Sequence, residues 1–269
     1  MRQLILTGVF AQDPDLRYTQ NGMAIYTFTI GGEDTVTDKD GQPKAVPFYL
    51  QCKAIGKPAE WYAERKYSQG SPVMVVGQPD YREWTTEDGK KASSVEVLVT
   101  ELHDLDITPE VVQDQGGDVR MRHAINRVTV LGNLTRDPEQ TSEQAPVTIG
   151  IAVNDKWTGK DKKKKEQVHY FSAEAWRELG QYLMNGKKGQ RVLLEGRLFN
   201  DSWQTKDGDK RSERKIEVFT AQLLTSKGRS KGAESTSTPA APAPSTAPAA
   251  STQEAAESSD APFGDEMPF

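Results

Sequence analysis

The sequence predicts an all-β protein with short helices, built as two copies of one small five-stranded barrel and followed by an unstructured tail. Three observations carry this reading. One stretch is written twice, as Gly77-Gln78-Pro79-Asp80-Tyr81-Arg82-Glu83-Trp84 running into Asp88-Gly89, and as Gly196 to Trp203 running into Asp207-Gly208, with the Gly, the Trp and the Asp-Gly at one spacing. Further landmarks return at nearly the same offset: Asp137-Pro138 stands 124 residues after Asp13-Pro14, Tyr170 121 after Tyr49, and Trp203 119 after Trp84. A period near 120 residues indicates a tandem domain, since solenoid repeats are far shorter. From Lys227 the composition shifts to Ser, Thr, Ala, Pro and Gly, which cannot bury enough apolar surface to offset the entropy of ordering.

Taken in order, residues 3–10 form a strand of branched and aromatic side chains, with Gly8 marking a bulge or bend. Asp13-Pro14 ends it, and Arg17 to Gly22 turn into a second strand, Met23 to Gly31. There Tyr26, Phe28 and Ile30 alternate with Ile25, Thr27 and Thr29. Residues 34–45 are polar and hold a hairpin tip at Asp40-Gly41. A third strand runs from Phe48 to Ile55. Lys57 to Lys66 reads as a helix, with Pro58 in the first turn, where a missing N–H is harmless, and with Trp61 and Tyr62 packing it onto the sheet. Pro72 to Gly77 and Ser93 to Leu102 complete the barrel. Three strands, a helix and two strands is the order of an OB-fold. The pattern restarts at Asn126, with Val128 to Gly132 matching the first strand and three residues fewer after Glu139, so that nothing stands opposite Arg17 and Tyr18. The expected organisation is an OB-fold over 1–107, a connector without strand or helix pattern over 108–122, a second OB-fold over 123–226, a tether over 227–260 and a terminal tip over 261–269.

Charge is divided unevenly. The net charge of −5 resolves into −5 for residues 1–107, −3 for 108–119, +6 for 120–226 and −3 for the tail. That pattern suits a protein that meets nucleic acid on one surface. The single cysteine, Cys52, lies in an apolar run. It forms no disulfide within the chain, which fits a reducing cytosol. Neither a secretory leader nor a run of 18 apolar residues is present. No Cys/His spacing suggests zinc, no catalytic motif stands out, and no cofactor or metal is expected.

The repeated hairpins carry the chemistry. Asp-Gly supplies the positive φ of a tight hairpin turn, and the Trp just before it sits among polar neighbours. An aromatic on a strand beside basic residues makes a platform for a stacked base next to a phosphate contact. This assigns Arg82, Trp84, Lys90 and Lys91 in the first copy and Trp203, Lys206, Lys210 and Arg211 in the second. Lys162 to Lys165 stand at another hairpin tip, between Trp157 and Tyr170. At the C-terminus, Phe263 and then Asp265-Glu266-Met267-Pro268-Phe269 interrupt the polar tail, as a docking peptide would.

Several motifs together resemble the bacterial single-stranded DNA-binding proteins in their two-OB-fold, Deinococcus–Thermus form. They are Asp13 to Thr19 with Asn21-Gly22, Leu131 to Pro138, Ala175-Trp176-Arg177-Glu178-Leu179, the two Trp hairpins and the Asp-Glu-Met-Pro-Phe end. The resemblance implies stacking at Tyr49 and Trp84 in the first copy and at Trp157, Tyr170, Trp176 and Trp203 in the second. It adds Arg17, Tyr18, Lys53, Arg136 and Arg177 as DNA contacts. Val36 and Ile55 stand where the second copy has Trp157 and Trp176, so the first copy departs from the pattern there. A homodimer presenting four OB-folds, a cytoplasmic and nucleoid-associated location, and partners in replication, recombination and repair docking on residues 265–269 are also implied. The leading expectation is sequence-independent binding of single-stranded DNA without covalent chemistry. The alternative is an RNA-binding or primosome-accessory OB protein.

Overall fold

A computed structural model describes residues 1–37, 41–85, 89, 91–158, 162–204 and 210–225. The first repeat comprises β1 (Arg2–Phe10), β2 (Asp15–Tyr18), β3 (Ala24–Thr37), β4 (Pro43–Ile55), α1 (Lys57–Glu64), β5 (Pro72–Thr85) and β6 (Lys91–Asp104). Then come β7 (Val111–Gln113) and β8 (Val119–Met121). The second repeat comprises β9 (Asn126–Leu134), β10 (Glu139–Gln140), β11 (Val147–Thr158), β12 (Lys164–Ala175), α2 (Arg177–Leu183), β13 (Arg191–Gln204) and β14 (Lys210–Leu224).

Each repeat closes into the predicted five-stranded barrel. In the first, β1 pairs with β5 and β3, β3 with β4, β4 in parallel with β6, and β6 with β5. In the second, β9, β11, β12, β14 and β13 close in the same order. The alternation read from the sequence selects the core, with Tyr26, Phe28 and Ile30 buried on one side and Val147, Ile149 and Ile151 at the matching places. Cys52 is fully buried, and burial pushes its thiol well above the ordinary range.

The structure corrects several expectations. Of the two readings of Gly8, the bend holds and the bulge does not: a side chain there would meet Gly31 O at 2.7 Å, so glycine lets β1 swing against β3. The bulges fall instead at Val76/Gly77 and Glu195/Gly196, at the glycines that open the repeated stretch. Arg17 and Tyr18 lie in the short strand β2 rather than in a turn. The connector 108–122 holds a β7–β8 hairpin, and β8 joins the edge of β3 at Gly32↔Met121. Its strands are only three residues long, too short for any alternation to show in the sequence. Trp61 does not pack the helix. It is 51% exposed beneath the Arg65 guanidinium, 4.0 Å from the ring centroid, while Tyr62 alone is buried. The Tyr62 hydroxyl accepts the Leu102 N–H at 3.1 Å, and Tyr182 on α2 accepts the Leu223 N–H at 3.0 Å, so each helix is latched to the last strand of its barrel.

The strands also run further than the apolar alternation. β3–β4, β5–β6, β11–β12 and β13–β14 continue as paired arms toward their tips. Near the tips of these arms each strand has one partner and solvent on both faces, so a ladder persists without a hydrophobic side.

The barrels are joined by β1 and β9, antiparallel, with Leu4 opposite Val128. These two residues hold the same place in their repeats, so a local pseudo-two-fold axis passes between them. Around it the contacts are reciprocal in kind. Arg2 reaches Asp155 at 2.6 Å, and Arg127 reaches the buried Asp34. Arg2 also donates to Pro79 O at 2.9 Å. The Asn126 side chain, at the equivalent position, exchanges two hydrogen bonds with the Leu198 backbone at 2.8 and 3.1 Å. Proline offers only an acceptor, which a donor-only guanidinium satisfies, whereas leucine needs an amide that both gives and accepts.

Candidate nucleic-acid interface

On the β5–β6 arm, Arg82 and Trp84 share a face with Asp80 and, across the ladder, with Ser94 and Glu96. Trp84 is 43% exposed, as a stacking platform requires. Lys53 lies at the base of this face and is not an exposed phosphate contact, which corrects its assignment. Its ammonium is buried, 2.7 Å from Glu96 and 3.0 Å from Asp80. Burial alone would raise the Asp80 carboxyl, but the charge and hydrogen bond of Lys53, with Arg82 adding, hold it below the usual aspartate range. Lys53 thus offsets one of the two carboxylate charges beside the platform, and Arg82 reaches Asp80 at 3.3 Å as the second cation.

The second barrel builds the same device with its polarity reversed. Lys215 on β14, opposite Glu96 in the repeat, pairs with Glu174 at 2.6 Å and Asp201 at 2.7 Å, and Glu174 occupies the place of Lys53. Burial would lower the Lys215 ammonium, but its two carboxylate bonds raise it. In the backbone register of β13–β14, Trp203 stands opposite Arg211, as Trp84 stands opposite Ala92 on β5–β6.

The repeat-related tyrosines have different settings. The Tyr49 hydroxyl donates to Asp114 at 3.1 Å and accepts from Arg120 at 3.4 Å, both from the connector hairpin. Burial pushes the Tyr49 phenol up. Tyr170 instead meets Tyr81 of the first barrel edge to face, ring centroids 5.8 Å apart. Tyr81 escaped the sequence reading because its counterpart in the repeat is the polar Asn200. Beside Tyr170, the buried His169 approaches Arg2 through Nε2 at 2.8 Å and Asp80 through Nδ1 at 3.6 Å. Burial first, and then the Arg2 charge, lower its pKa to about 4. The ring is therefore neutral at physiological pH.

Other assigned residues lie on other elements of the two barrels. Trp157 sits opposite Lys165 near the tip of the β11–β12 arm. Exposed Trp176 and Arg177 adjoin at the start of α2. Tyr18 is 58% exposed, and Arg17 is exposed and paired with Asp15. Arg136 is half-buried beside Asp137, whose carboxylate accepts the Lys188 N–H at 2.7 Å. Asp13 accepts the Gln69 N–H at 2.8 Å in the same way, so the Asp-Pro motif pins a loop in each barrel. Lys90, Lys206 and the 265–269 tip lie outside the described residues, as do the side chains of Lys91, Trp203, Lys210 and Arg211. Among the described residues no group of three or more side chains is arranged to hold a metal ion.

A sequence model of the single-strand binding protein family matches residues 1–105 and again residues 125–224. The chain belongs to this family. It is 40% identical over 250 residues to the single-stranded DNA-binding protein of Deinococcus radiodurans, covering 91% of this chain and 83% of that one. To the single-stranded DNA-binding protein of Thermus aquaticus it is 34% identical, covering 84% and 85%. The crystal structure of the wild-type Thermus aquaticus protein superposes with a TM-score of 0.64 at 28% identity, covering 86% of this chain and 97% of that one. The family's duplicated form thus accounts for both barrels, and neither barrel is left without a match.

Proposed function

We propose that this protein coats single-stranded DNA without sequence preference, along a path over the hairpin arms of both barrels, and performs no covalent chemistry. The observation that carries the reading is the exposed Trp84 beside Arg82, on an arm where Lys53 and Arg82 pair with the carboxylates Asp80 and Glu96. Bases have a π-face whatever their identity, so stacking tolerates any sequence. The names of the relatives support the same ligand. Titration of poly(dT) against tryptophan fluorescence, at two salt concentrations, tests it. Quenching that weakens with salt is expected, and no quenching would overturn the proposal. Equal affinity for poly(U) would favour the RNA-binding alternative.

The functional unit is a homodimer with four barrels. Ile5 and Phe219, 37% and 40% exposed, mark the outer face of the continuous sheet that runs through β14, β13, β9, β1, β5 and β6. Met74, Val76, Leu131 and Leu193 are half-buried on the same strands. Sedimentation of Ile5→Lys, with a shift from dimer to monomer, is the check. The tip, Asp265 to Phe269, recruits replication, recombination and repair proteins, and the chain works at the nucleoid. Deleting the tip is expected to leave DNA affinity equal or slightly higher and to abolish partner capture. Unchanged capture would remove the tip from the proposal. No described helix is long and apolar enough to cross a membrane.

A further inference from the structure

The β5–β6 arm carries an aromatic ring on each of its two faces. Arg82 and Trp84 share one face with Asp80, and Tyr81 lies on the other with Glu83, because neighbours alternate along a strand. The Trp84 face belongs to the first barrel, whose Lys53 pairs there with Asp80 and Glu96. The Tyr81 face turns to the second barrel. There Tyr81 meets Tyr170 with the ring planes at 81° and the centroids 5.8 Å apart. The surroundings hold this meeting in place. The Tyr81 backbone nitrogen lies 3.3 Å from Nδ1 of His169, the residue before Tyr170. Across the ladder from Tyr81, the Val95 carbonyl accepts a hydrogen bond from Arg214 of β14. The counterpart of Tyr81 in the second repeat is the exposed Asn200, so the barrel topology does not call for an aromatic at this place.

We propose that Tyr81 completes the nucleotide site of the second barrel from outside it, with one base of the strand seated in the corner between Tyr81 and Tyr170. This rests on the single-stranded DNA reading above. Two rings at right angles bound a corner in which a flat base stacks on one ring and sets its edge against the other. The Tyr81 hydroxyl is tied to the Glu83 carboxylate at 3.1 Å, so the site adds stacking and no phosphate contact. The arm thereby serves two stretches of the strand, one on Trp84 and one on Tyr81. The second barrel's groove is incomplete without the first barrel, and the strand passes between the barrels at this arm.

The test uses the full chain, dT oligomer titrations across a salt series, and photocrosslinking to an oligomer that carries iodouracil. Tyr81→Asn, which installs the residue of the second repeat, is expected to weaken binding about five- to tenfold, the lower part of the range for a stacked base. The log–log salt slope should stay as it is, because no phosphate contact goes with the ring. Tyr81→Phe keeps the ring and should bind like the unaltered protein. Crosslinking separates contact from packing: in the unaltered chain, adducts are expected on Tyr81 as well as on Tyr170. Unchanged affinity in Tyr81→Asn, or an equal loss in Tyr81→Phe, would overturn the shared site. Adducts on Tyr170 with none on Tyr81 would overturn it as well. Failure of the unaltered protein to bind dT would instead overturn the function on which the site rests.

Discussion

The two barrels share a topology and differ in how they treat the same positions. The buried ion pair between the third and fifth strands of each barrel is Lys53–Glu96 in one and Glu174–Lys215 in the other. In both, a second carboxylate from the fourth strand joins the lysine, Asp80 in one and Asp201 in the other. The fold requires a lysine to sit between the two carboxylates and is indifferent to which of the paired strands carries it. Surface positions behave differently. Tyr49 is held by the connector and Tyr170 by the neighbouring barrel, while Ile55-Gly56 becomes Trp176-Arg177. Interior chemistry was kept through a sign change, whereas the surface chemistry at these positions changed between the barrels.

The sharpest way to break this comparison is Lys53→Met, which leaves the half-buried Glu96 without its cation and Asp80 with Arg82 alone. Loss of about 3–5 kcal/mol of stability is expected in urea unfolding. The reversed pair, Lys53→Glu with Glu96→Lys, copies the second barrel and should recover most of that loss. Failure to recover would show that the two clusters are not interchangeable.

A second test uses pH. The folded pKa of His169, about 4, lies below its ordinary 6.5, so the unfolded chain binds this proton more tightly. The stability from a neutral His169 is therefore complete above pH 6.5 and is lost as pH falls toward 4, by up to about 3 kcal/mol. His169→Phe installs the residue found at the first repeat's counterpart, Phe48, and should flatten the stability profile across that window. An unchanged profile would place the acid sensitivity elsewhere.

Binding effects are smaller. Trp84→Ala should weaken poly(dT) binding within the range of about 1–3 kcal/mol known for base stacking in single-strand binding folds, with urea stability unchanged. Smallest is the difference between the paired tyrosines. Tyr170→Ala should weaken binding more than Tyr49→Ala, by roughly 1 kcal/mol, because Asp114 and Arg120 already occupy the Tyr49 hydroxyl. Equal losses would mean that the connector yields to DNA.

The barrels were legible because Tyr26, Phe28 and Ile30 alternate cleanly and the Trp hairpins repeat. The outer reaches of the arms were not, since Glu33 to Thr37 and Pro43 to Pro47 pair without one continuous apolar face. Among site residues, Trp84 was legible from its polar neighbours. Lys53 was misread because a lysine in a strand gives no local sign of carboxylates 27 and 43 residues away. Trp61 was misread for the converse reason, since an aromatic on a helix beside a buried tyrosine suggests core, and only the Arg65 cover explains its exposure.

The seam between β1 and β9 also bears on how the chain is made. Until residues 126–130 leave the ribosome, the Arg2–Leu6 edge of the first barrel has no β9 to pair with. An open edge rich in Leu and Ile invites pairing with other chains. At about 5–20 residues per second, some 120 further residues keep that edge bare for roughly 6–24 s. Fusing the repeats in one polypeptide fixes the length of that exposure by the distance along the message, whereas a separate subunit would have to arrive by diffusion. The duplication thereby turns the protection of a sticky strand from a matter of concentration into a matter of translation time.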